Sequence, residues 1–259
     1  MKTKLFPVLR ASGLLLAAAY EGSSECLTGD ITPLACWKGE GDASSQCGFF
    51  PAVWVNTAAY VSGKVGSAFS FDGSSYLRVT DADALSFDAP GAALTIEAWV
   101  NPTTWSGGVV AKGSGSAVEY SLSLNRTTNS VVFTMALKDP TNPLSPPQLF
   151  TAAGGVGMSN QWHHLAGVYR VGAAVAVFLD GMRVGTTPLS PTRAAQNTTS
   201  PLYLGRAGAP GQNLAGGLDE VYLYPVALND QDIQSICATG SLGHCVPSNC
   251  VAPPAGLVA

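Results

Sequence analysis

The feature that most constrains the fold of this chain is a series of short segments in which apolar and polar residues alternate. The clearest runs from Leu94 to Val100, where Trp99 and two polar residues interleave with aliphatic ones. Because side chains point alternately to the two faces of a strand, this pattern predicts a strand with one apolar face. Pro102 lacks a backbone donor and is expected to end it. Half-buried strands of this kind are typical of antiparallel sheets.

The same pattern along the chain predicts about eleven strands and one short helix. The 29 glycines and 17 prolines, with only 12% charged residues, favour many turns over long helices. Asp180-Gly181 predicts a two-residue hairpin turn, and the turn from Asp72 to Ser75 predicts a second hairpin. The helix is expected from Asn229 to Ile236, with Asn229 as its N-cap. The predicted fold class is therefore all-β, an antiparallel jelly-roll sandwich of two sheets with at most one short helix near the C-terminus.

Residues before about Pro51 read as an irregular segment, and the Pro-rich stretch from Asp139 to Pro147 reads as a surface loop. The predicted strands are Phe69–Phe71, Tyr76–Val79, Leu94–Val100, Val109–Ala111, Tyr120–Leu124, Val131–Met135, Trp162–Tyr169, Val175–Leu179, Met182–Val184, Leu202–Gly205 and Gly217–Tyr224.

The N-terminal segment has the pattern of an export signal. Lys2, Lys4 and Arg10 precede residues 11–19, which are apolar or small, and cleavage is predicted after Ala19. The alternative is an apolar segment packed on the domain, since so short a run cannot cross a bilayer. No later run is long enough to do so, and we expect no membrane insertion. The predicted localisation is secreted or cell surface.

The charge balance bears on the class of partner. The whole chain has a formal net charge of −4, from 13 basic and 17 acidic residues. Removal of residues 1–19 would leave 10 basic residues against 17 acidic ones, a net charge of −7. No basic run could neutralise successive phosphates, so nucleic acid is excluded as an expected partner.

The six cysteines form two groups, one near each end of the chain. An even count in an exported chain, without two C-x-x-C pairs, favours disulfides over metal ligands. The pairing is open, but sandwich folds commonly bring their terminal strands together. We therefore expect at least one bridge between the groups. The early group is Cys26, Cys36 and Cys47, and the late group is Cys237, Cys245 and Cys250.

Five blocks of the sequence carry a family resemblance. They are the run from Gly63 to Gly73, the Leu94–Pro102 strand, Trp162–Tyr169, the Leu179–Gly181 turn and the stretch from Gly217 to Leu228. In this order they resemble the laminin-G-like jelly-roll domains of the concanavalin A-like lectin/glucanase superfamily. The resemblance implies a domain over residues 34–240, preceded by a linker at 20–33 and followed by a Cys-containing tail at 241–259.

The resemblance implies an extracellular recognition module that binds glycan, or else protein, and often holds a calcium ion. The positions that match the family's calcium site are Asp219 and the Glu40-Gly41-Asp42 segment, so Asp42 and Asp219 are the metal ligands it suggests. Two carboxylates completed by carbonyls and water would suit calcium. The sequence departs from the family after Asp42, where the usual Gly/Asn/Asp-rich loop is replaced. The alternative is that both carboxylates cap turns.

Aromatic rings outside the regular strands are the candidates for contact with a sugar. Trp105, Phe49, Phe50 and Trp54 could present an apolar face to a pyranose, and the alternative is that they cover the core or a sheet edge. The leading hypothesis is thus a glycan-binding module. A structural or adhesive protein that acts through protein contacts is the second hypothesis, and an unusual glycosidase is the third and least favoured one.

Catalysis is not expected. Glycoside hydrolysis needs two carboxylates on either side of the bond, whereas Glu97 and Glu119 are each the lone acid of their strand. A Gly-x-Ser-x-Gly motif is absent from the sequence. His163 and His164 are neighbours on a strand and point to opposite faces, so structural roles are expected, one inside the sandwich and one at its surface.

Overall fold

The structure is a computed structural model that describes residues 31–240, apart from 140, 143, 190–192 and 208–211. These residues form sixteen strands, one α-helix and two 3₁₀ turns, Asp83–Leu85 and Gly115–Ala117. The strands are β1 Ala35–Trp37, β2 Ala52–Val55, β3 Tyr60–Ser62, β4 Ser67–Asp72, β5 Tyr76–Val79, β6 Leu94–Pro102, β7 Gly107–Lys112, β8 Tyr120–Asn125, β9 Ser130–Lys138, β10 Gln148–Gly154, β11 His163–Arg170, β12 Ala174–Leu179, β13 Met182–Pro188, β14 Ala194–Ala195, β15 Leu202–Leu204 and β16 Ala215–Tyr224, and the helix is α1 Asp230–Thr239.

The strands form two antiparallel sheets packed face to face. Sheet A has the order β13-β12-β11-β6-β16-β4-β3, and β1 also pairs with β16. Sheet B has the order β10-β9-β8-β7-β15-β5-β2, and β14 also pairs with β9. The prediction of an all-β sandwich of two antiparallel sheets with one short helix is confirmed.

The core lies between the sheets and follows the alternation in the sequence. In β6, Leu94 and Ile96 face sheet B and are fully buried, and Phe133 of β9 packs against them from the opposite sheet within one apolar cluster. The other face of β6 is also buried, because α1 covers part of sheet A with Ile233 and Ile236. Within the described residues no helix covers the outer face of sheet B, and β5, β8 and β15 keep an alternation of buried and more exposed residues.

Two turns were predicted to be hairpins, and they differ in outcome. Asp180-Gly181 joins β12 to β13, and its left-handed backbone, with φ of 50° and 78°, suits such a turn. The turn from Asp72 to Ser75 is not a hairpin, because β4 lies in sheet A and β5 in sheet B. Its Asp72 carboxylate accepts hydrogen bonds from the N–H groups of Ser74 and Ser75, and these bonds hold the pKa of Asp72 well below its usual value. The chain therefore crosses between the sheets at this turn.

The region before Pro51 is more regular than predicted. Here β1 pairs with β16. After Pro51, the strands β2 and β3 were also missed, and they extend the two sheets beyond β5 and β4. β10, which follows the Pro-rich loop, was also missed. These strands are short or lie at sheet edges, where apolar alternation is weak.

The ends of the described chain meet on sheet A. Asn229 caps α1, and its side chain accepts from the N–H of Asp232, as predicted.

The described cysteines include one disulfide, between Cys36 and Cys47 of the early group. Cys237 on α1 forms no disulfide with another described cysteine. Cys26, Cys245 and Cys250 and the predicted export signal lie outside the described residues, so a bridge between the groups stays a prediction.

Candidate functional site

The outer face of sheet B carries the most distinctive surface groups. In β5 and β15 the aliphatic residues Leu77, Leu202 and Leu204 are fully buried in the core. The period of two therefore turns Tyr76 and Tyr203 outward, where both are half-buried. Arg78 is exposed on the same face and lies directly across from Tyr203.

Tyr76 and Tyr203 form a cluster with Arg206, which is called the Tyr–Arg cluster below. The two rings meet edge to face, with their centroids 5.7 Å apart. The Arg206 guanidinium lies 4.8 Å from each ring centroid, within the range of a cation–π contact. Three partly exposed groups with polar tips and flat faces are thus held together on an open sheet.

A cleft of about 350 Å³ opens on the same sheet, at the start of β7 and the end of β8. Its polar lining residues include Ser123, Asn125 and Arg126, and Val132 is one of its apolar lining residues. Binding sites for small ligands have volumes of about 300–1,000 Å³. The described lining is Ser106, Gly107, Ser123, Leu124, Asn125, Arg126, Thr127, Val132 and Gln212.

Two pairs of residues, 206–207 and 212–213, connect the cleft to the Tyr–Arg cluster. Arg206 pairs with Asn213, and the Gln212 carbonyl accepts from the N–H groups of Gly108 and Ala207. Gly108 is required here, since a Cβ atom would lie 1.8 Å from the backbone N of Ala207. These backbone contacts hold Arg206 close to the cleft residue Gln212.

The two tryptophans predicted to contact a ligand are turned toward the protein. Trp105 is only 3% exposed, donates to the Ser130 carbonyl and packs edge to face on His163. Trp54 is half-buried, donates to the Tyr60 hydroxyl and packs against the core. Neither placement supports a sugar platform at these positions, because the rings fill space inside the sandwich.

Two residues of the predicted calcium site, Glu40 and Asp219, contact the loop between β3 and β4. Asp219 is fully buried, and its carboxylate accepts from the N–H groups of Val65 and Glu220. Glu40 accepts from the N–H of Ser67 at the end of that loop. Asp42 is exposed and instead accepts from Ser44. Glu40, rather than Asp42, thus shares this loop with Asp219.

The donor set is sparse for calcium. Burial raises the pKa of Asp219 to about 7, which favours the neutral carboxyl group that calcium does not prefer. Within the described ranges no three His, Cys, Asp or Glu residues are grouped as metal ligands. Any ion at Asp219 would need backbone carbonyls and water, and the calcium site stays a prediction.

The two histidines have structural contacts, but both are buried. His163 lies 2.8 Å from a carboxylate oxygen of Asp180, and its other ring nitrogen accepts from the N–H of Met158. His164 lies 3.3 Å from Glu97 beneath α1. The expectation that one of them lies at the surface was wrong. His163 is covered by its contacts with Asp180 and Met158, and His164 is buried next to Glu97.

A second buried polar group lies at the end of β7 opposite to the cleft. The Lys112 ammonium is fully buried and lies 2.6 Å from Asp81 and 3.2 Å from Glu119. It also donates to the Ser200 carbonyl. Since the ammonium is enclosed, this group joins strands and loops and offers no surface to a ligand.

The fold and this open, polar sheet face define a lectin-like β-sandwich. The family model Laminin_G_3, described as the concanavalin A-like lectin/glucanases superfamily, matches residues 71–234. The chain therefore belongs to this family. The resemblance seen in the sequence is thereby confirmed. Strands β1 to β3, before the matched region, complete the same two sheets.

Solved structures with this fold include several binding domains. Domain 4 of AbnA, an extracellular GH43 arabinanase from Geobacillus stearothermophilus solved with arabinotriose, is 18% identical, with a TM-score of 0.59, over 80% of this chain and 98% of that domain. The binding domain of botulinum neurotoxin DC, solved with SialylT, is 13% identical, with a TM-score of 0.61 and 81% of this chain covered. The binding domain of Paraclostridial Mosquitocidal Protein 1 is 14% identical, with a TM-score of 0.63 and 80% covered.

The chain spans about half of each of these toxin domains, 52% in both cases. No curated protein matches it in sequence. Among the described residues, no helix is long and apolar enough to cross a membrane. These similarities therefore establish the fold of the chain.

The alternation in the sequence already indicates part of the Tyr–Arg cluster. Tyr203 lies between Leu202 and Leu204, and Tyr76 precedes Leu77, so the period of two already turns both tyrosines outward. The contact with Arg206 could not be predicted in this way, because it depends on which strands are neighbours.

Proposed function

We propose that this protein is an extracellular glycan-binding module and that the outer face of sheet B is its binding surface. The observation that carries the proposal is the Tyr–Arg cluster beside a polar cleft of about 350 Å³. Aromatic rings suit the C–H faces of sugars, and hydroxyl, amide and guanidinium groups suit their hydroxyl groups. The cleft has the size of a small saccharide site.

Two further observations support this assignment. The structural relatives bind glycans, arabinotriose in one case and SialylT in another. The Cys36–Cys47 disulfide and the N-terminal signal pattern support an oxidising, extracellular environment.

The cleft is better suited to binding than to hydrolysis. Hydrolysis of a glycosidic bond uses a pair of carboxylates about 5–10 Å apart. The described lining contains no Asp or Glu. These residues can therefore supply hydrogen bonds and apolar contact, but neither of the two groups that cleavage requires.

The test is a glycan array probed with the purified chain, followed by calorimetry on the best ligand. We expect Tyr203→Ala to weaken binding at least tenfold, about 1.4 kcal/mol, because it removes a ring from the cluster. Val61→Ala is the control, since Val61 is exposed and lies on β3 of sheet A. Equal affinity of both variants and the unaltered protein would refute this site, and binding to no glycan would refute the function.

Protein contact is the second candidate function. Val156, Met158 and Met182 are exposed apolar side chains, and the loop of the first two is joined to the β12–β13 turn through His163 and Asp180. An adhesive protein would use such a surface. Loss of partner binding in Met158→Ser, with glycan binding unchanged, would favour this function.

A further inference from the structure

The charge on sheet B is opposite in sign to that of the whole chain. The formal net charge is −4, yet the eight strands of sheet B contain no Asp or Glu. Sheet A, in contrast, contains Glu97, Asp219 and Glu220 in β6 and β16. The proposed binding surface is thus a region of positive charge on an acidic protein.

Three arginines provide this charge. Arg78 and Arg206 flank Tyr203, and Arg126 lines the cleft. Among the described residues none of the three forms an ion pair, whereas Arg183 on sheet A is paired with Asp230. Their charge is therefore not neutralised within the described part of the chain.

Arg206 is also held in place. Two tyrosine rings lie 4.8 Å from its guanidinium group and restrict its movement without neutralising it. A guanidinium group presents a planar fork of N–H donors that matches the oxygens of a carboxylate or sulfate. A fixed fork loses less entropy when it binds such an anion.

From this arrangement we infer that the ligand is an acidic glycan, whose carboxylate or sulfate is bound by Arg206 while an adjoining sugar lies in the cleft. This inference rests on the proposed function, because it uses the same surface. It adds the class of glycan, and it assigns the selectivity for acidic sugars to Arg206, with Arg78 and Arg126 increasing the local potential.

The experiment is an array of paired oligosaccharides, in which each neutral chain is present unmodified, with a terminal carboxylated sugar and with a sulfate. We expect the full chain to bind acidic members at least tenfold more tightly than their neutral parents. This preference should weaken as the salt concentration rises, because an exposed ion pair is screened. The two acidic arms show which anion is preferred.

Arg206→Gln should lower the affinity for the acidic member at least tenfold more than the affinity for its neutral parent, so that the ratio of the two affinities falls toward one. Arg170→Gln is the matched control, because it makes the same charge change at an exposed residue of sheet A. A thermal melt of each variant shows that the fold is retained.

The possible results separate the two proposals. Equal affinity for acidic and neutral members, with both weakened by Tyr203→Ala, would overturn the acidic-glycan inference and leave the proposed function intact. Equal binding of acidic glycans and a polyglutamate peptide would also overturn it, because charge alone would then explain the binding. Binding to no glycan would overturn both.

Discussion

At the scale of single residues, Asp219 illustrates how one carboxylate can hold a loop in place. Its two oxygens accept from the N–H groups of Val65 and Glu220, and the side chain is fully buried. Gly63 fits beside it only because it has no Cβ, which would lie 2.5 Å from the carboxylate. This contact joins β16 to the loop between β3 and β4, a pair of segments far apart in the sequence.

Asp219→Ala is expected to lower the free energy of unfolding by about 2–4 kcal/mol, because two backbone donors lose their acceptor. Urea denaturation measures the change. Asp42→Ala is the control, since Asp42 is exposed and accepts only from Ser44. Equal stability of the two variants would contradict the structural role.

The same two variants test the calcium prediction. An ion bound only by the folded state must raise the melting temperature of the unaltered protein when calcium replaces a chelator. A rise that is lost in Asp219→Ala would support the predicted ion, and the absence of a rise would count against it.

At the scale of elements, the buried Lys112 group connects β7 to the loops around Asp81 and Ser200. Lys112→Met should cost about 3–5 kcal/mol of unfolding free energy, because it leaves the buried Glu119 carboxylate without its counter-charge. Lys138→Met on β9 is the control, since Lys138 is half-buried and forms no ion pair among the described residues. Chemical denaturation compares them. Similar losses would show that packing, rather than charge, explains the effect.

The strands also show what the sequence can predict. Alternation places Leu94 and Ile96 inside the sandwich correctly, since burial depends on the period of two. Alternation does not indicate which strands pair with each other. For this reason β4 and β5 were assigned to one hairpin, although they lie in different sheets. The Tyr–Arg cluster depends on the same partner information, which explains why outward tyrosines could have been predicted but not their arginine.

At the scale of the whole molecule, the Cys36–Cys47 bridge closes the segment between β1 and β2. Replacing both residues by Ser should lower stability by about 2–4 kcal/mol, since the unfolded chain gains freedom. Cys237→Ser is the comparison, because Cys237 has no disulfide partner among the described residues. Peptide mapping without reduction also tests the predicted link between the two cysteine groups, in which Cys26 is the early cysteine left to pair. Bridges confined to each group would contradict that link.

The pairing of β1 with β16, with α1 packed on the far side of sheet A, has a consequence for display. Both ends of the described chain lie on the sheet that faces away from the proposed binding surface. A domain of residues 31–240 could therefore be attached at either end, to a support or to further copies of itself, on the side opposite to the outer face of sheet B. Several copies presented in this way would engage a repetitive ligand together, and the strength of attachment would then depend on spacing as much as on any single site.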